Sequence, residues 1–139
     1  MIINKRHMRL IPDFYSEPSN HNSGTKEAEL REMPNSYLEL LEIQDVLETS
    51  KDDDIITLVC SKIKSGGQLN ISGIDGHAFA MNIAHGAKSL QEINREGYIK
   101  MINRLHSLSM LREHFMSIQW KIISASVTSE AYNLQVEKP

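Results

Sequence analysis

The residues best placed to do chemistry stand in one short stretch, Ser72, Gly73, Asp75 and Gly76, where a strand pattern gives way to a helix pattern. In an open α/β sheet this is the usual place for a ligand: glycines let a backbone approach it, and a helix N-terminus at His77 favours an anion. The plainer reading is a tight strand–helix turn shaped by Gly73 and Gly76 and capped by Asp75. Asp45 could join Asp75 at neighbouring strand ends as an acid/base or cation-binding pair. Two carboxylates name no reaction, however, and Asp is also a preferred helix cap. His77 and His85, like His106 and His114, are spaced by two helical turns, too far apart for one ion without further ligands, so no metal site is expected. Protonation of these four near pH 6 could still alter an interface. Cys60 lies in an apolar stretch with no evident base or positive charge beside it and reads as a small core side chain. Met101, Met110, Met116 and Phe115 read as core or helix-interface fillers.

Composition bounds what such a site could serve. The chain has 139 residues, with 15 Lys plus Arg against 18 Asp plus Glu and a formal net charge of -3. No basic excess exists to neutralise a phosphate backbone, so nucleic acid is not an expected partner. Apolar runs fall well short of the roughly 18 residues of a membrane span. A single cysteine and the lack of a leader pattern at the N-terminus point to an unexported, cytoplasmic protein.

The elements that must position these residues begin weakly. Residues 1–33 hold Pro12, Pro18, Asn20, Asn22, Ser23 and Gly24 and little apolar periodicity. We expect an extended or partner-dependent arm there, with His7–Ile11 a candidate short strand and Glu27–Glu32 a candidate helical turn. Residues 34–139 form the expected domain. Leu38–Ile43 reads as a buried strand, although periodicity does not separate it from a helix. Ser50 or Asp52 caps the next helix, Asp52, Asp53 and Asp54 favour its positive end, Lys62 and Lys64 its other end, and Gly66–Gly67 stop it. Gln68–Ile74 alternates, with Leu69, Ile71 and Gly73 on one side and Asn70, Ser72 and Ile74 on the other. His77–His85 reads as a short helix. Ser89 and Glu92 form a capping box for a longer one, with an apolar stripe from Leu90 to Phe115 and a break expected near Ser107 or Ser109, or at Gly97. Trp120–Val127 and the alternating Tyr132, Leu134 and Val136 read as an antiparallel pair. Strands alternating with helices imply a mostly parallel α/β sheet with that pair at its C-terminal side.

Asp45-Val46-Leu47-Glu48, an acidic-capped helix, Lys62-Ile63-Lys64-Ser65-Gly66-Gly67-Gln68-Leu69 and Asn70-Ile71-Ser72-Gly73-Ile74-Asp75 together resemble the second half of class I S-adenosylmethionine-dependent methyltransferases. The resemblance runs from about Met33 to the C-terminus and implies a partial Rossmann-like fold. Such enzymes grip their cofactor with a glycine-rich loop after the first strand and hold its ribose with an acid after the second. Here the only glycine before Gly66 is Gly24, and Thr49 stands where the family commonly has His after the "VLE" turn. The resemblance therefore implies a domain without the cofactor-binding half, with no cofactor expected and no residue carried over as a catalyst. A sheet so shortened has an edge and faces left to cover. A second copy or a larger protein would cover them, which implies a non-catalytic assembly or interaction protein, such as a viral or accessory component. The alternative is a methyltransferase that binds S-adenosylmethionine at an atypical or inter-subunit site, with Ser72, Gly73, Asp75, Gly76 and Asp45 as its candidate contacts. A third reading makes the Ser72–Gly76 turn a small-ligand site.

Overall fold

Alternation of apolar and polar residues through three strands decides how the sheet is built. In the computed structural model, which describes residues 6–12, 27–87, 89–95 and 102–139, five strands form one sheet. β1 (His7–Leu10), β2 (Leu38–Gln44), β3 (Ile63–Ile74), β4 (Lys121–Thr128) and β5 (Ala131–Glu137) lie in the order β1-β2-β3-β5-β4. The first three are parallel, and β5 runs antiparallel to both β3 and β4. The expected partial Rossmann-like arrangement, a parallel set completed by an antiparallel C-terminal pair, is the one the chain adopts.

Register places like residues in rows across the strands. Met8, Leu41, Leu69, Val136 and Ile122 form one row, and Leu10, Ile43, Ile71, Leu134 and Ala125 the next. This face carries the core. α1 (Glu27–Glu32) contributes the buried Leu30, α2 (Val46–Thr49) Leu47, α3 (Ile55–Lys62) Ile55 and Val59, and α6 (Leu108–Ser117) Leu111 and Phe115. Between these rows runs another of the opposite kind: Arg9, Glu42, Asn70, Gln135 and Ser124, followed by Gln44, Ser72, Asn133 and Ser126. All of these are exposed or half-buried, and most line an open depression of about 310 Å³. Among the described residues the sheet thus has one apolar, helix-covered face and one polar, open face.

Several boundaries differ from the sequence reading. α3 ends at Lys62 and β3 begins at once with Ile63, so Gly66–Gly67 lie inside a strand and do not stop the helix. Fully buried Ile63 pairs with Leu38 and commits the chain to the sheet before the glycines are reached. Gly66, at φ +82°, then turns the strand, and a side chain at Gly67 would meet the Leu38 carbonyl at 2.9 Å. Ser50 and Asp52 act one turn ahead of α3: Ser50 Oγ accepts from the Asp52 N–H and Asp52 Oδ1 from the Asp54 N–H, and the helix starts only at Ile55. α2 is an additional single turn.

α4 (Gly76–Ala84) starts one residue before the expected His77. Ser89 Oγ accepts from the Glu92 N–H as the capping box requires, but α5 (Leu90–Arg95) is short. Gly97 and Met101 lie outside the described residues. Ser107 caps α6 through the Met110 N–H, so the break falls where serine can satisfy a free helix N–H, and Leu105 lies in irregular chain off the helical stripe. Within 1–33, the described parts are β1, paired along β2, and α1, anchored by Leu30. No helix among the described residues is long and apolar enough to cross a membrane.

Candidate functional site

Strand ends, not strand middles, gather the residues singled out from sequence. Asp75, only 4% exposed, follows β3 and uses both carboxylate oxygens on the chain itself: Oδ2 accepts from the Ala78 N–H at 2.8 Å and Oδ1 from the Leu108 N–H at 2.7 Å. One carboxylate therefore holds the starts of both α4 and α6. Gly76 donates its N–H to the His106 carbonyl at 2.8 Å, and a side chain there would lie 3.2 Å from Leu105 Cβ. Asp45 takes a left-handed conformation (φ +61°), donates its N–H to the Ser72 carbonyl and accepts from Thr49 Oγ1 at its own carbonyl, with no side-chain cap on α2. It faces Ser72, three residues or about 10 Å of strand before Asp75. Asp75 thus spends both carboxylate oxygens on helix starts, while Asp45 bonds to Ser72 and Thr49 through its backbone. Ser72 lines the open polar face.

Gly73 is explained by a residue that the sequence reading passed over. Glu48, on α2, is completely buried. Its Oε2 accepts from the Tyr132 hydroxyl at 2.8 Å and lies 3.4 Å from His106 Nδ1, while Oε1 has no hydrogen-bond partner among the described residues. A side chain at Gly73 would collide with that Oε1 and meet the Tyr132 ring at 3.1 Å. Segment 102–107 closes over α2: Asn103 and Arg104 donate their N–H groups to the Glu48 carbonyl at 2.7 and 3.2 Å. Arg104 also reaches the Leu47 carbonyl and Asp53, each at 2.7 Å. The only early signal of this cluster was an acid following Val46 and Leu47 at the end of a buried strand.

With this geometry in view, the likeness to solved structures can be placed. An S-adenosylmethionine-dependent methyltransferase from Methanosarcina mazei superimposes with a TM-score of 0.57 at 13% identity, over 82% of this chain and 66% of that one. One from Thermotoga maritima gives 0.55 at 11% identity, over 83% and 63%. The chain has the methyltransferase fold. An O-methyltransferase family 2 protein from Planctomyces limnophilus, solved with apigenin, gives 0.52 at 16% identity, over 79% of this chain and 33% of that one. The chain therefore spans between a third and about two thirds of the length of these methyltransferases. No protein-family model matches the sequence, and no curated protein is significantly similar to it.

The methyltransferase fold brings S-adenosylmethionine into question, and three of the five candidate contacts, Gly73, Asp75 and Gly76, leave it no room. The space beside Gly73 holds the Glu48 carboxylate, the space over Gly76 holds Leu105 and His106, and both Asp75 oxygens are engaged by backbone N–H groups. Three of the four candidates in the Ser72–Gly76 turn thus serve the chain's own packing.

The remaining candidates do not gather into a site. His106 precedes α6, so it shares no helix with His114; its side chain is 21% exposed and faces Glu48. His77 and His85 are exposed on and just after α4. Among the described residues no group of three or more His, Cys, Asp or Glu is placed to hold a metal ion. Burial pushes the Cys60 thiol up to about 12, against a weaker opposing pull from Lys138. The thiol lines an apolar groove between α3 and α6 with Ile56, Ile118 and Trp120, over which Lys138 lies as a cation–π partner. A thiol so protonated is a poor nucleophile.

Proposed function

We propose that this chain is a non-catalytic, methyltransferase-derived module that works as an assembly or interaction protein in the cytoplasm, joining a second copy of itself or a larger protein. The observation that carries this reading is the filled junction after β3, where Glu48 sits against Gly73, Leu105 and His106 lie over Gly76, and backbone N–H groups hold both Asp75 oxygens. At the sheet end where an α/β protein ordinarily receives its ligand, this chain places its own buried side chain. A methyl donor seated at this junction would have to displace a fully buried carboxylate, and leaving the Tyr132 hydroxyl without its acceptor is costly.

A second reading draws on the likeness to S-adenosylmethionine-dependent methyltransferases: an enzyme whose cofactor site is atypical or is completed by a second copy of this chain. Isothermal titration of the chain, at concentrations high enough for two copies to meet, with S-adenosylmethionine and separately with S-adenosylhomocysteine divides the two. Our reading expects no saturable heat. One-to-one binding of either compound would overturn it in favour of the enzyme.

A further inference from the structure

We infer that the free edge of β4 is a self-pairing surface, on which a second copy of this chain docks antiparallel to extend the sheet from five strands to ten. The inference rests on the assembly reading and names the surface and the occupant.

β4 ends the strand order, so its outer main-chain groups face no strand among the described residues. Natural edges are usually protected by charge, proline or brevity. This one is eight residues long and, after Lys121, runs Ile122-Ile123-Ser124-Ala125-Ser126-Val127-Thr128 with neither charge nor proline. Ile123 and Val127 are 40% and 42% exposed. The bulge at Ile123 bounds the paired stretch: Ser124–Thr128 stay in regular register with β5, so the central pairs about Ala125 lie on regular strand and Ile123 at its rim.

Sequence symmetry chooses the occupant. Ile123-Ser124-Ala125-Ser126-Val127 reads nearly alike in both directions about Ala125. A two-fold axis at Ala125 sets Ile123 opposite Val127 of the partner subunit and Ser124 opposite Ser126 of the partner subunit. These are β-branched and hydroxyl pairs of the kind that stabilise antiparallel strands. Main-chain alternation agrees. The two-residue turn Ser129–Glu130 makes Thr128 and Ala131 a hydrogen-bonded pair, so Ser126 and Ser124 also bond toward β5 while Ala125 and Val127 present their N–H and C=O groups outward. The axis also keeps chemistry continuous, because residues opposite one another in an antiparallel pair point to the same face. Ser124 and Ser126 extend the polar row of Gln135 and Asn133, while Ala125 and Val127 stay on the helix side.

On that helix side α6 adds apolar surface. His114 and Ile118 line the groove toward α3. By the 3.6-residue period this turns Met116, 59% exposed, toward the β4 edge. One strand pair with a narrow apolar margin makes a reversible contact, so assembly follows concentration.

The test combines light scattering with cross-linking of the full chain. The wild-type mass should rise with concentration from 15.8 kDa toward twice that value. Ala125→Pro removes an outward N–H without touching the β5 ladder, and Val127→Lys places a charge on the edge. Each should hold the chain monomeric, with circular dichroism and melting temperature little changed. In a Cys60→Ala background, Ala125→Cys should form an intermolecular disulfide under mild oxidation, because a hydrogen-bonded antiparallel pair brings Cα atoms to about 5.5 Å. Thr128→Cys, far from its own copy in this register, should not. Should Ala125→Pro fail to fold, Val127→Lys and the cross-link still decide. A dimer indifferent to both edge variants, or one that cross-links through Thr128→Cys instead, would overturn this edge and register while leaving self-assembly standing. A mass fixed at the monomer would overturn the edge and self-assembly together, without bearing on the titration with S-adenosylmethionine.

Discussion

On β3, Leu69 and Ile71 are buried against the helices, while their chain neighbours Asn70 and Ser72 line the open depression on the other side. The same division runs through β2, where Leu41 and Ile43 alternate with Glu42 and Gln44, and through β5, where Tyr132, Leu134 and Val136 alternate with Asn133 and Gln135. A parallel sheet wound with helices on both faces buries both, and its strands are apolar nearly throughout. Here the second face has the composition of a surface. The resemblance implied bare faces in need of cover; among the described residues the second face is instead polar and open, as a solvated surface is.

Substitutions can break or sharpen this contrast. The largest effect is expected on the covered face: Ile71→Ala should cost about 3–4 kcal/mol in denaturant unfolding, as for a large-to-small change in a packed core. Asn70→Ala, one residue away, should cost less than about 1 kcal/mol, since it removes an amide oxygen that has no partner among the described residues. Equal costs would mean that the two faces are equally buried.

Next comes the strand end. Glu48→Ala leaves the Tyr132 hydroxyl without its acceptor and opens a cavity, and should cost about 3 kcal/mol. Gly73→Ala should cost about 1–3 kcal/mol by overpacking. The double variant should cost less than the sum, because removing the carboxylate frees the space that the new methyl needs. Strict additivity would separate Glu48 from Gly73 and remove the reason given for that glycine.

The smallest effect concerns Cys60. Its raised pKa means that the folded state holds the proton more tightly than the unfolded chain. This contribution to stability is present below about pH 9 and is lost as pH rises toward about 12. At pH 8 the native thiol should react with an alkylating reagent much more slowly than the denatured chain, as timed mass spectrometry would record.

Fold class was legible because its signals are local: period-two alternation in β3 and β5, and a break in the helical stripe near Ser107, where α6 begins. The start of β3 was misread because Gly66–Gly67 carries the same signature as a helix stop, and only the pairing of Ile63 with Leu38 distinguishes them. Ser72, Gly73, Asp75 and Gly76 were correctly placed at a strand–helix junction. What fills that junction was not legible, because Glu48 meets His106 and Tyr132 across 58 and 84 residues of chain. No local pattern reports a contact of that span.

The central claim, one covered face and one open face, can be read out most directly by thiol labelling. Ile71→Cys, Ser72→Cys and Asn133→Cys, each made in a Cys60→Ala background, would be timed against the unfolded chain at one pH. Our account predicts that Ser72→Cys and Asn133→Cys label at rates close to the unfolded chain and Ile71→Cys only on unfolding. Protection of all three alike would contradict it, because the polar face would then be covered.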